Sequence, residues 1–162
     1  MSHHHWLSVA IECSRLSPPA PDHYAVGAVV VGADGRVLAT GFTGETDPHY
    51  HAEEAALAKL TGVDLSGATL YSSLEPCTTR RSRPRSCADL IVDAGIRRVV
   101  FALREPPVFA DGRGIEQLLA AGVKVVELPE YGRLVAEINE HVLGRTPVTS
   151  QEDRCERAAL AR

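Results

Sequence analysis

A chain of 162 residues with 44% apolar and 23% charged residues has the size and makeup of one globular domain around one core. Its net charge of −4 argues against the broad basic footprint of a nucleic-acid binder, and no apolar run is long enough to cross a bilayer. The start, MSHHHWLSVAIEC, lacks the basic region, long apolar stretch and cleavage site of a secretory signal, so a cytoplasmic chain is expected, with no disulfide framework among its four cysteines.

Residues 3–16 read as a helix, with Trp6, Val9, Ala10, Cys13 and Leu16 at helical spacing; His3, His4 and His5 at its start are given no role. SPPAPDH ends it. YAVGAVVVGADGRVLATGF reads as a hairpin around an Asp34-Gly35 turn. A second helix is expected over 51–61, a short buried strand over 68–74 and a third helix over 86–95. A strand over 96–103, a helix over 112–122, a strand over 123–128 and a last helix over 131–144 complete the pattern. The order predicts an antiparallel first pair, later parallel strands joined by right-handed crossovers, and helices on both faces of one mixed five-stranded sheet. The fold class is therefore α/β, a three-layer α/β/α sandwich. One domain is expected over residues 1–144, followed by a polar tail over 145–162 that holds Cys155.

The chemistry starts at DPHYHAEEAALAKL, where His51, Glu53 and Glu54 open the second helix. Acids at a helix start suit the dipole, so capping is one reading. The other reading needs SLEPCTTRRSRPRSCADL, which offers Cys77 after the third strand and Cys87 at the start of the third helix. One imidazole and two thiolates suit tetrahedral Zn2+, and three protein ligands leave a position open, as a catalytic site requires. Glu53 lies two residues beyond His51, close enough to reach that position and carry protons without binding the metal. His-x-Glu followed by Pro-Cys and a further Cys is the zinc deaminase signature. Three plainer alternatives remain at this point. His51 and Glu53 are caps, Cys77 and Cys87 are small core residues, or His49 completes a closed structural zinc. Glu54 and Glu75 read as structural, with Glu75 holding the loop that carries Cys77.

These segments, together with VGAVVV, GATLYSSLEPC, CADLIVDAGIRRVVFAL and GRGIEQLLAAGV, resemble the pyrimidine deaminase domain of riboflavin biosynthesis, in the cytidine deaminase superfamily. The resemblance covers most of the chain, to about Leu143. It implies a cytidine deaminase-like sandwich, zinc on His51, Cys77 and Cys87, Glu53 as proton shuttle, and a homodimer. That family often carries a fused reductase, for which 162 residues leave no room, so a stand-alone deaminase is expected. The pattern departs from the family on the substrate side. Nine residues, Thr78 to Ser86, separate the cysteines, and the loop opens Thr-Thr in place of Ser-His. His23-Tyr24 stands where the family has Asn-Pro before its first strand, and Glu105-Pro106-Pro107-Val108 stands for Asp-Pro-Asn-Pro.

The loop between the cysteines carries Arg80, Arg81, Arg83 and Arg85 with no acid among them. It reads either as a solvated surface segment or as a grip for a substrate phosphate, since guanidinium pairs well with phosphate. His23, Tyr24, His49 and Tyr50 are expected near the pocket mouth, where a tyrosine can stack on a flat ring. The expected function is hydrolytic deamination of a small aminopyrimidine nucleotide or nucleoside, including the riboflavin intermediate. Cytosine- or cytidine-type salvage substrates are the alternative. A base within RNA or single-stranded DNA is disfavoured, because no aromatic and basic platform is present. A non-catalytic zinc module is disfavoured by the free carboxylate of Glu53.

Overall fold

A computed structural model describes residues 1–80, 83–106 and 113–144. Arg81, Pro107, Val108 and the expected tail at 145–162 with Cys155 lie outside the described residues.

Five strands form one sheet in the order β2-β1-β3-β4-β5. They are β1 (Gly27–Val31), β2 (Val37–Phe42), β3 (Thr69–Leu74), β4 (Arg98–Leu103) and β5 (Lys124–Glu127). β1 pairs antiparallel with both β2 and β3, while β3–β4 and β4–β5 are parallel. β1 is an unbroken apolar run because both of its faces are covered. Ala28 and Val30 enter one core layer, and Val29 and Val31 enter the other. That two-residue alternation is the strand period at work.

The helices divide between the faces. α1 (His3–Ser14) starts at Ser2, whose Oγ accepts a 3.3 Å hydrogen bond from His5 N. Its Trp6, Leu7, Ala10 and Ile11 share a layer with Val135 of α5 (Gly132–Ile138). The opposite layer holds Ala52 and Ala56 of α2 (Ala52–Ala58), Ala88 and Ile91 of α3 (Cys87–Asp93), and Leu118 of α4 (Gly114–Ala120). The expected α/β/α sandwich is therefore present, with the strand directions expected from the element order. Among the described residues no helix is long and apolar enough to cross a membrane.

The last helix departs from expectation. In place of one helix over 131–144, a 3-10 turn (Pro129–Tyr131) leads into α5, and α6 (Glu140–Leu143) follows after a break. Asn139 makes the break, with φ −102° and ψ 18°. Its buried amide oxygen accepts from Ala25 N at 2.7 Å, and its Nδ2 donates to Ala25 O and Val135 O at 3.1 and 3.0 Å. The helix yields there because a backbone segment 114 residues away needs both of its polar groups satisfied. This contact fixes the chain next to Tyr24, just before β1.

Two glycines let backbone meet backbone around the site. A Cβ at Gly41 of β2 would collide with the carbonyl of Ala52, at the start of α2. A Cβ at Gly114 would collide with the carbonyl of Pro76, next to Cys77. Each therefore allows one half of the signature to seat directly on a neighbouring element.

Candidate active site

His51 is the N-cap of α2, in extended conformation at φ −82° and ψ 157°, and Glu53 follows on the first turn. Cys77 lies in the loop after β3, and Cys87 is the first residue of α3. The start of α3 is fixed by reciprocal capping. Ser86 Oγ accepts from Asp89 N, and the Asp89 carboxylate accepts from Ser86 N, both at 3.1 Å. From there Cys87 N donates to Cys77 Sγ at 3.3 Å, and Ala88 N donates to Cys77 O at 3.0 Å. A helix start thus directs one free N–H at a sulfur and the next at the carbonyl of the same residue.

The donor atoms of His51, Cys77 and Cys87 lie within 4.8 Å of one another. His51 Nδ1 is 3.6 Å from Cys77 Sγ and 3.3 Å from Cys87 Sγ. A tetrahedral zinc with ordinary Zn–N and Zn–S bond lengths requires nitrogen and sulfur ligands to sit about 3.5 Å apart. The cluster therefore fits zinc by donor type and by spacing. Both sulfurs are buried. Among the described residues His49 is not part of the cluster, and its ring faces that of His23, with centroids 5.7 Å apart. Three ligands and no fourth is the pattern of an open, reactive centre.

Protonation is tightly linked across the cluster. Cys77 is pushed down to about 4, first by its contact with the Cys87 thiol and then, against burial, by His51. The same contact and full burial push Cys87 up. Burial alone would lower His51; the hydrogen bond and charge of Cys77, with Glu53, outweigh it and raise it. The positive charge of Arg80 acts the other way on both His51 and Cys87, favouring neutral imidazole and thiolate.

Glu53 is buried, with 3% of its surface exposed, so its neighbours decide its protonation. Burial raises its pKa most, Cys77 adds to the rise, and His51 and a hydrogen bond from Ser72 oppose it. Ser72 Oγ donates to Glu53 Oε1 at 2.8 Å. A carboxyl held this way keeps a proton more readily than a solvated one and is oriented by a rigid strand.

Three further residues serve the site. Glu75, expected to hold the Cys77 loop, accepts from Glu105 N at 3.0 Å and from Ile115 N at 3.1 Å. It therefore binds three segments at one edge of the sheet. Ser72 was not singled out by sequence; the available signal was a pair of serines, Ser72 and Ser73, in a wholly buried strand. Glu105 was noted only as a departure in the loop after β4. Its carboxyl is pushed up to about 7, by burial first and then by the negative charges of Cys77 and Glu53. Its charge also reaches Tyr24, whose phenol burial pushes up to about 12.

The other expected binding residues have varied surroundings. His23 Nδ1 lies 2.8 Å from Asp22 Oδ1, and His141 Nε2 donates to His23 O at 2.9 Å. Tyr24 packs partly against the core. Tyr50 lies under the Arg83 guanidinium, 5.1 Å from the ring centroid. The arginines differ sharply in surroundings. Arg80 donates to Glu54 Oε2 at 2.8 Å and to His49 O at 2.6 Å, with its side chain only 1% exposed. Arg83 pairs with Asp47 at 3.4 Å and stays 33% exposed. Arg85 pairs with Asp93 on the surface.

A fold of this topology, with an imidazole and two thiols gathered beside a buried carboxyl, belongs to the zinc deaminases. Residues 1–103 match the family described as the cytidine and deoxycytidylate deaminase zinc-binding region, and the chain belongs to that family. It is 35% identical over 130 residues to a diaminohydroxyphosphoribosylamino-pyrimidine deaminase of Schizosaccharomyces pombe, covering 78% of this chain and 32% of that protein. It is 40% identical over 119 residues to the riboflavin biosynthesis protein RibD of Aquifex aeolicus, covering 74% of this chain and 32% of that one. The chain thus spans about a third of the length of these relatives. Among solved structures, the Rib2 deaminase of Aspergillus oryzae in complex with DARIPP superposes with a TM-score of 0.70 at 26% identity, over 85% of this chain and 89% of that one.

If the three donors hold zinc, Cys87→Ala removes one of two thiolates and strips the metal. Metal analysis of purified protein is expected to show about one zinc per chain in the parent and a small fraction of that in the variant. Equal zinc in both would remove Cys87 from the ligand set.

Proposed function

We propose that this chain is a zinc-dependent hydrolytic deaminase that replaces an exocyclic amino group on a pyrimidine nucleotide with a carbonyl oxygen and releases ammonia. We propose further that its substrate is the diaminopyrimidine riboside phosphate of riboflavin biosynthesis. The observation that carries the reaction is Glu53, a buried carboxyl beside a three-donor cluster that it does not join. A structural zinc site has no use for such a group. The substrate reading is supported by the names of the relatives and by the DARIPP complex of the fungal neighbour.

In this reading His51, Cys77 and Cys87 hold zinc. Zinc bound there supplies the Lewis acidity that makes water a nucleophile at neutral pH. Glu53 takes a proton on the carboxyl that burial favours in its protonated form, and returns it to the leaving nitrogen. Ser72 holds Glu53 Oε1 throughout, so the proton moves on a fixed arm. Carbon loses the amino nitrogen and gains the water's oxygen; of the water's two hydrogens, one completes ammonia and the other ends on the ring nitrogen beside the new carbonyl. In this reading Glu105 and Tyr24, with His23, His49 and Tyr50, recognise the ring. A homodimer is part of the same reading, supported by the resemblance to a family whose members pair near the site.

Four measurements test this reading. Glu53→Ala is expected to retain zinc and fold while losing nearly all ammonia release; near-parental turnover in zinc-replete Glu53→Ala would refute the shuttle. The assay panel is cytosine, cytidine, deoxycytidine, their monophosphates and the diaminopyrimidine riboside phosphate, and preference for a cytidine compound would move the chain to salvage. Light scattering is expected to give twice the chain mass, and a monomer at working concentration would contradict pairing. Finally, Arg83, which pairs with Asp47 and Glu54 and stays 33% exposed, is the candidate phosphate contact among the described loop arginines in this reading. Loss of one charge-assisted contact removes about 1.5–3 kcal/mol. Arg83→Ala should therefore lower kcat/KM for the phosphorylated substrate roughly ten- to a hundred-fold and spare the nucleoside. An unchanged ratio between the two would make Arg83 a surface residue.

A further inference from the structure

We propose that Glu54 and Arg80 are positioning residues, a buried ion pair that locks the His51 half of the metal site to the Cys77–Cys87 half. The inference rests on the zinc reading above and adds to it. The two halves belong to different segments of the chain, and no covalent link sets their distance. Glu54 lies three residues beyond His51, and Arg80 lies three residues beyond Cys77. Each therefore moves with one half.

The contacts close a ring around His51. Glu54 Oε2 accepts from His51 N at 3.4 Å and from Arg80 Nη1 at 2.8 Å. Arg80 Nη2 reaches the other side of His51 and donates to His49 O at 2.6 Å. The guanidinium thus holds the chain before and after the imidazole. Arg83 reinforces the same acid, with Nε 3.3 Å from Glu54 Oε1.

Burial separates this pair from the surface pairs of the molecule. The Arg80 side chain is 1% exposed and that of Glu54 is 14% exposed, whereas Arg85 and Asp93 are 52% and 51% exposed. A desolvated pair is costly to break, because the surviving partner is left as an uncompensated buried charge. A pair of this kind holds a distance, where an exposed pair only decorates a surface. The same burial argues against Arg80 as a phosphate ligand, since both of its terminal nitrogens are already donating within the protein.

The test uses the full chain loaded with zinc, with Glu54→Gln, Arg80→Met, Arg80→Lys and the Glu54→Gln/Arg80→Met double variant. Zinc affinity is measured by competition with a chromophoric chelator, the visible spectrum by cobalt substitution, and kcat and KM by ammonia release. Glu54→Gln and Arg80→Met are each expected to weaken zinc binding about ten- to a hundred-fold, the usual effect of losing a group that orients a ligand. The cobalt bands should shift, kcat should fall with KM little changed, and the double variant should be no worse than the poorer single. Arg80→Lys, which keeps the charge, should recover part of the loss. Parental zinc affinity and cobalt spectra in folded variants would overturn the proposal. So would a rise in KM confined to phosphorylated substrates, which would make Arg80 a substrate contact. If Arg80→Met fails to fold, Glu54→Gln and Arg80→Lys decide by the same readouts. A parent chain that binds no zinc would instead overturn the metal reading.

Discussion

Two thiols and an imidazole, contributed by three separate segments, converge in the interior with their donor atoms inside 4.8 Å. Polar groups removed from water are costly unless other groups satisfy them. Much of the surrounding structure meets that demand. The N–H at the start of α3 satisfies a sulfur, and Ser86 and Asp89 fix that helix start. Glu75 gathers the loops that approach from β3, β4 and α4. Close backbone contacts at Gly41 and Gly114 seat the helix carrying His51 and the loop carrying Cys77.

Two neighbouring acids on α2 show how finely a helix can divide labour. Successive residues point about 100° apart around the axis. Glu53 turns inward to Ser72 and the cluster, while Glu54 turns along the surface of the site to Arg80 and the backbone of His51. From sequence, capping and chemistry are rival explanations of the same acids. The structure separates the acids: Glu54 accepts from the N-cap His51 N, and Glu53 is turned to Ser72. The adjacency puts both carboxylates on one rigid turn, so neither can shift without the other.

The sheet and its order were legible because the strands are short apolar runs separated by clear breaks, and because parallel pairing follows from the intervening helices. The metal donors were legible because their spacing falls on a helix start, a loop and a second helix start. What escaped reading depends on contacts between distant segments. The split at Asn139 answers Ala25, a partner 114 residues away, so helical periodicity over 131–144 carried no sign of it. Ser72 hides in a buried strand, where serine is compatible with packing as well as with hydrogen bonding. The four arginines look alike in sequence, yet Arg80 is interior and Arg85 is on the surface. Their difference is set by which acids the fold brings near, and that is a property of tertiary structure.

β3 and β4 run parallel, with Leu74 beside Leu103, and Glu75 N donates to Leu103 O at 2.8 Å. Both strands therefore discharge their chains at the same rim. One outgoing segment holds Cys77, and the other holds Glu105. The donor segment and the segment of Glu105 are thus neighbours in space but independent in the chain. Exchanges at Glu105 leave the strand pairing beneath it intact, so a lineage can alter the surroundings of the donor cluster without relearning how to fold.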